Sequence, residues 1–309
     1  MAKRLPKLDS AQLEAFEGRL SQSSLSKQQQ RTIMASMRVA ANPQAETPQF
    51  GYMSLTPTRR AIATKSISAT SAIFTSIAND VRIGASEQSE IDDALLEAQV
   101  AGESKIEWGL ILALLSFFLF PPAQEKALHD EIEGAYIAAW QLAVKEQAAL
   151  YGCPNARIGS PTGASLRDIQ KLARRDSESI AKTYNREAES ALRRLYESNP
   201  LGTSNYYLSG MAQWANTRQI QKNLTIGIQN VQAGYFLGQR DFHAYNSLQT
   251  GYRFSGAPPV CPICSRLMGM GEVDFETMAT NSCPVHPSCP HYWVATRVYK
   301  IPCSQMWVG

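Results

Sequence analysis

Histidine and cysteine are scarce in this 309-residue chain, which holds four of the first and six of the second. Net charge is scarce too, at +3, so the overall balance gives no mark of a nucleic-acid binder. No apolar run reaches the roughly twenty residues that a helix needs to span a bilayer. The most apolar one, Trp108 to Phe120, has thirteen and ends at Pro121-Pro122. A buried core helix or a subunit interface is its expected role, and a membrane-active segment is the sharper alternative. Met1 to Lys7 is basic, but neither an apolar h-region nor a small-residue cleavage site follows. No secretory signal is expected, and the thiols are expected to meet a reducing cytoplasm. Also missing are a nucleophile elbow, a Walker motif, an H-E-x-x-H signature, the complete H-x-E…P-C-x-x-C zinc-enzyme signature and a paired-carboxylate constellation. Gly269-Met-Gly271 is only a fragment of a phosphate loop and reads better as a turn. Asp241 and His243, one residue apart, would not face each other on a helix and read as core or surface residues.

The few metal-ligand residue types are concentrated in one place. Four of the six cysteines and two of the four histidines fall between Cys261 and His291, as Cys261-Pro-Ile-Cys264 and Cys283-Pro-Val-His286-Pro-Ser-Cys289-Pro-His291. Two soft ligands two residues apart can grip one tetrahedral ion, and a second pair after a loop completes the shell. Structural zinc is the expectation. Catalytic zinc normally keeps an open position and a neighbouring acid or base, for which the chain offers no motif. Six candidates compete for four places. Cys261 and Cys264 are the safest pair, and His286 has x2 spacing to both Cys283 and Cys289. Pro284, Pro287 and Pro290 predict a stiff, extended loop. Tyr292 to Tyr299, rich in β-branched and aromatic residues, predicts a strand. The ion would pin a small β-hairpin module with too little apolar mass to fold well alone.

These residues resemble the phage Mu F-like head-morphogenesis (minor capsid) proteins. That family's C-terminal signature has a Cys-x-x-Cys, a Leu-x-Gly after it and a Pro-x-His-Pro-x-Cys-x-Cys run. The matching residues are Cys261, Cys264, Leu267, Gly269, Pro284, His286, Pro287 and Cys289, with His291 where the family has its last cysteine. The likeness covers about forty residues. It implies Cys261, Cys264, His286 and Cys289 as the zinc ligands, with Cys283 and His291 in reserve. It also implies a non-enzymatic virion protein of the phage head, near the portal, assembled in the host cytoplasm. Portal protein and major capsid protein would be its partners during head assembly and genome packaging or delivery, with no small-molecule substrate.

Charge is unevenly spread along the rest of the chain. Residues 1–70 hold ten Lys or Arg against four Asp or Glu, whereas residues 80–135 hold twelve acids against three bases. Ser21 to Gln30 and Asn42 to Thr58 are too polar and Pro- or Ser-rich to bury much apolar surface, which predicts an extended or disordered arm with one short helix near Ser10 to Leu20. Such an arm orders over a partner, so self-association in multiple copies is expected. Lys3, Arg4, Lys7, Arg59 and Arg60 are its candidates for contact with DNA or an acidic protein face.

Between residues 61 and 100 a narrow apolar stripe and a short acidic helix, Ile91 to Val100, are expected. Glu125 to Tyr151 is amphipathic, with Leu128, Ile132, Ala135, Ala139, Leu142 and Ala143 on one face and Gly152 as the stop. Ser165 to Ser198 predicts a second long helix whose arginines and lysines mostly form a solvated, paired face. Asn199 to Gly202 breaks it, and Tyr206 to Leu237 is mainly helical. The expected architecture is therefore mainly α: an arm over 1–70, a helical body over 71–245 and a zinc-stapled β module over 246–309. The rival readings are a zinc-containing DNA-binding protein, a membrane-active genome-delivery protein and a zinc hydrolase.

Overall fold

The computed structural model describes residues 55–79, 85–102, 107–113, 118–256, 262–284 and 291–309. The expected Ser10 to Leu20 helix and most of the arm lie outside them. Among the described residues the protein is mainly helical, with one small antiparallel sheet near the C-terminus. The helices are α1 (Pro57–Asn79), α2 (Ala85–Ala101), α3 (Trp108–Ala113), α4 (Pro122–Leu150), α5 (Gly163–Ser198) and α6 (Ser204–Tyr245). After them come β1 (Tyr252–Ser255), α7 (Pro262–Gly269), β2 (Glu272–Val273), α8 (Phe275–Thr280) and β3 (Tyr292–Ala295).

Local signals explain where these elements start and stop. Thr56 caps α1, accepting from the Arg59 backbone N–H at 3.4 Å, and Pro57 follows where its missing donor costs nothing. The helix thus begins inside the stretch counted with the arm. Gly152 ends α4 at φ +107°, a conformation that a side chain would strain, while the Cys153 N–H reaches back to the Ala148 carbonyl. α6 runs eight residues beyond its expected end at Leu237. Gly238 does not break it, because helix packing requires a glycine there.

Two compact units are distinguished, and all four long helices contribute to both. In the first (residues 1–65, 135–166 and 224–309), α4 and α6 approach with backbone almost against backbone. A Cβ on Gly234 would lie 2.6 Å from the Tyr136 carbonyl oxygen, and one on Gly238 only 2.4 Å from that of Trp140. The fully buried Trp140 indole donates to the Asp241 carboxylate at 2.9 Å across this contact. Gly238→Ala gains about 1 kcal/mol in helix propensity and loses about 3 to overpacking, a net destabilisation of about 2 kcal/mol. A urea midpoint equal to or above that of the wild type would contradict this packing.

The second unit (residues 66–134 and 167–223) closes over Leu95, Ile111, Phe118, Ala188, Leu192, Tyr207 and Met211. Ile111, Phe118 and Phe120 are buried, so these three residues of the apolar run are core, as the blander reading had it; Leu112 and Leu119 are exposed. No described helix is long and apolar enough to cross a membrane. On α5 Arg175 pairs with Asp176, Lys182 with Glu178 and Arg193 with Glu189. Pairs as exposed as these contribute little stability.

The sheet is ordered β2-β1-β3, and β1 pairs antiparallel with both neighbours. Phe254 lies opposite Trp293 and Tyr252 opposite Ala295, all four on the buried face. β3 stops at Ala295, four residues short of the expected strand. The chain beyond it is instead tied to the first unit. Ile301 donates to the Tyr151 carbonyl, and Trp307 stacks on Tyr245 with centroids 4.4 Å apart.

The same tail carries the main departure from expectation. Cys153 and Cys303 form a disulfide across 150 positions of sequence. The chain is therefore not the wholly reduced one expected from its sequence. Pairing at such a distance depends on how the fold places the α4–α5 connection against the tail, and residue spacing does not encode it.

Candidate metal centre

Cys264 lies on α7, a short helix that begins inside the Cys-x-x-Cys. Cys264 and Leu267, three apart, are the buried face of that short helix. They pack with Phe236, Tyr252, Phe254, Met278, Cys283 and Trp293 into one small core behind the sheet. The α8 helix, unforeseen from sequence, completes it, started by the Asp274 side chain accepting from the Thr277 N–H at 2.8 Å. Hydrogen bonds from the Thr277 side chain and backbone hold the Asp274 carboxyl below its ordinary pKa.

The two reserve ligands mark the ends of the proline-rich loop. Cys283 Sγ donates to the His291 carbonyl at 2.6 Å, which draws both ends together against the core. The His291 ring is fully buried and stacks on Phe254, with centroids 5.3 Å apart. The Cys283–Pro284 peptide is cis. Cys264 and Cys283 both stay outside the disulfide and are buried. Of the proposed ligands, Cys261, His286 and Cys289 lie outside the described residues. Among the described residues no group of three His, Cys, Asp or Glu is arranged to hold an ion. What is placed is Cys264 in one core with Cys283, and the two ends of the loop that carries His286 and Cys289.

Beside Cys283 and His291 lies a cluster that sequence reasoning missed. Arg59, in the first turn of α1, is directed inward with its side chain only 12% exposed. Its guanidinium carbon sits 3.4 Å from the centroid of the Tyr235 ring and 5.7 Å from that of Tyr292. It also pairs with Glu146 at 3.4 Å. Tyr235 donates to the same carboxylate at 2.6 Å, and burial pushes its phenol well above the usual tyrosine pKa. Arg60 donates to the Leu55 carbonyl. The sequence makes these two arginines candidates for contact with DNA or an acidic partner, yet Arg59 is held inside the first unit. The Thr56-Pro57 helix start was the available signal, since it places residue 59 on a helix.

Arg59, Gln232, Tyr235, Gln239, Cys283 and His291 line a small cavity. Arg59 Nε and Gln232 Oε1 are buried there without a hydrogen-bond partner, one a donor and the other an acceptor. Comparison of the chain with family models, curated proteins and solved structures finds no match.

Proposed function

We propose that this protein is a non-enzymatic structural component of a phage head, of the F-like minor capsid type, whose C-terminal module is stapled by one zinc ion. The observation that carries the reading is the run Cys261-x-x-Cys264, Leu267, Gly269 and His286-Pro-Ser-Cys289, a closed set of soft ligands with no catalytic partner motif. The donor chemistry suits zinc. Cys264 packs in the same small core to which the ends of the His286–Cys289 loop are drawn. That core is built from three short strands and two short helices, the kind of module for which a metal commonly supplies folding energy. Cys261, Cys264, His286 and Cys289 would hold the ion. Cys283 is less suited, because its sulfur is hydrogen-bonded to the His291 carbonyl.

Portal and major capsid proteins are the partners this reading assigns, within the virion. The Cys153–Cys303 bridge agrees with a particle component, because virions persist outside the reducing cytoplasm in which they assemble. Metal analysis of the purified chain should give about one zinc per chain. Cys264→Ser should loosen the C-terminal module while sparing the helical body, read as protease sensitivity confined to the region after Tyr252. Sedimentation of the chain with assembled heads tests the particle assignment. A metal-free chain, or Cys261 disulfide-bonded to Cys264, would sink the zinc staple.

A further inference from the structure

α2 contains Glu87, Glu90, Asp92, Asp93 and Glu97 and no Lys or Arg. Its inward side buries Leu95 and Ala98 in the core of the second unit. The opposite side shows Glu90, Asp93, Leu96, Glu97 and Val100, all exposed. Positions 93, 96, 97 and 100 follow the i, i+3, i+4, i+7 spacing of a single helix face. Leu96 and Val100, at 61% and 82%, are the two most exposed large apolar side chains among the described residues. Two bare aliphatic groups framed by three carboxylates form a surface that a basic, apolar segment would cover.

The chain contains a segment of that composition. From Gly18 to Ala45 there is no acid, while Arg19, Lys27, Arg31 and Arg38 supply positive charge, and Ile33, Met34, Met37 and Val39 supply apolar side chains. Fifteen residues separate Val39 from Leu55, where the described chain begins. Fully extended, that tether spans about 50 Å, enough to reach a neighbouring molecule. We infer that residues 27–39 of one copy dock on the acidic α2 face of a second copy. Arg31 and Arg38 then face Asp93 and Glu97, while Ile33, Met34 and Met37 cover Leu96 and Val100. This inference rests on the multi-copy head reading and names the surface through which copies join.

Sedimentation velocity of the purified full-length chain, across protein concentrations and from about 50 to 500 mM salt, tests it. Self-association should be present and should weaken with salt, because exposed charge pairs are screened. Asp93→Lys/Glu97→Lys and Arg31→Glu/Arg38→Glu should each weaken it at least tenfold. An equimolar mixture of the two variants should restore it, since each reversed arm then meets a helix of opposite charge on the other copy. Restoration also shows that both variants are folded. A wild-type chain that stays monomeric, association indifferent to the reversals, or a mixture that fails to recover would overturn the inference. Binding of the arm to nucleic acid without self-association would do so too. A monomeric chain that carries zinc and sediments with heads removes this inference alone. Charge-swap recovery in a chain with neither property removes the head reading alone.

Discussion

Reducing the Cys153–Cys303 bridge is expected to lower the unfolding free energy by about 5 kcal/mol. The bond closes a loop across 150 positions, and the chain-entropy relation gives a cross-link of that span about 5 kcal/mol at 25 °C. This is a large share of the 5–15 kcal/mol that holds most domains. The effect falls on the unfolded chain, because other contacts keep the tail in place once the protein has folded. Gly159 donates to the Val308 carbonyl at 3.1 Å, and Trp307 exchanges hydrogen bonds with the Asn246 side chain. The Trp307 ring meets both Tyr245 and Trp140. The reduced protein should therefore keep its native fluorescence while its urea midpoint falls. A Cys153→Ala/Cys303→Ala variant should match the reduced wild type and ignore reductant. Equal midpoints for the wild type with and without reductant would show that the bridge contributes nothing.

The long helices were legible because each writes its burial into a 3.6-residue period. Leu128, Ile132, Ala135, Ala139 and Ala143 were expected on the buried face of α4, and all five are buried. Leu142 is only half-buried, since Tyr136, Trp140 and Val144 turn the contact face away from it. Where two helices touch through glycine the period hides the outcome: Gly234 and Gly238 look like interruptions in α6 but are its closest contacts with α4. In the C-terminal module, sequence located the small β module but missed α7 and α8. The Cys-x-x-Cys spacing suits a metal turn and a helical turn equally, and eight residues are too few for periodicity to decide. The arm's root was missed for a different reason. A basic pair after a polar stretch reads as surface charge until the aromatic ring and carboxylate that receive Arg59 are known.

Acidification is expected to destabilise the protein through His243 by about 3 kcal/mol. The side chain is 1% exposed and makes two hydrogen bonds suited to its neutral form. The Tyr252 hydroxyl lies 2.6 Å from Nδ1 and can donate to it, and Nε2–H can donate to the Gln147 carbonyl oxygen at 2.8 Å. The ring also meets Tyr151 edge-on. Burial among these groups lowers its pKa from 6.5 to about 4. Above pH 6.5 the folded and unfolded chains both hold it neutral, and no penalty arises. As pH falls from about 6.5 to about 4, the unfolded chain takes up a proton that the folded chain resists, so stability declines across that window. Below about 4 both states are charged and the loss is complete. At about 1.4 kcal/mol per pKa unit, the shift of about 2.5 units amounts to about 3 kcal/mol. Carboxylates titrate in the lower part of the same range, so the informative quantity is the difference between the wild type and His243→Gln, whose side chain is neutral throughout. The wild-type midpoint should fall more steeply than that of the variant between pH 6.5 and 4, most distinctly above pH 5. Parallel curves would mean that His243 is not held neutral in the folded core.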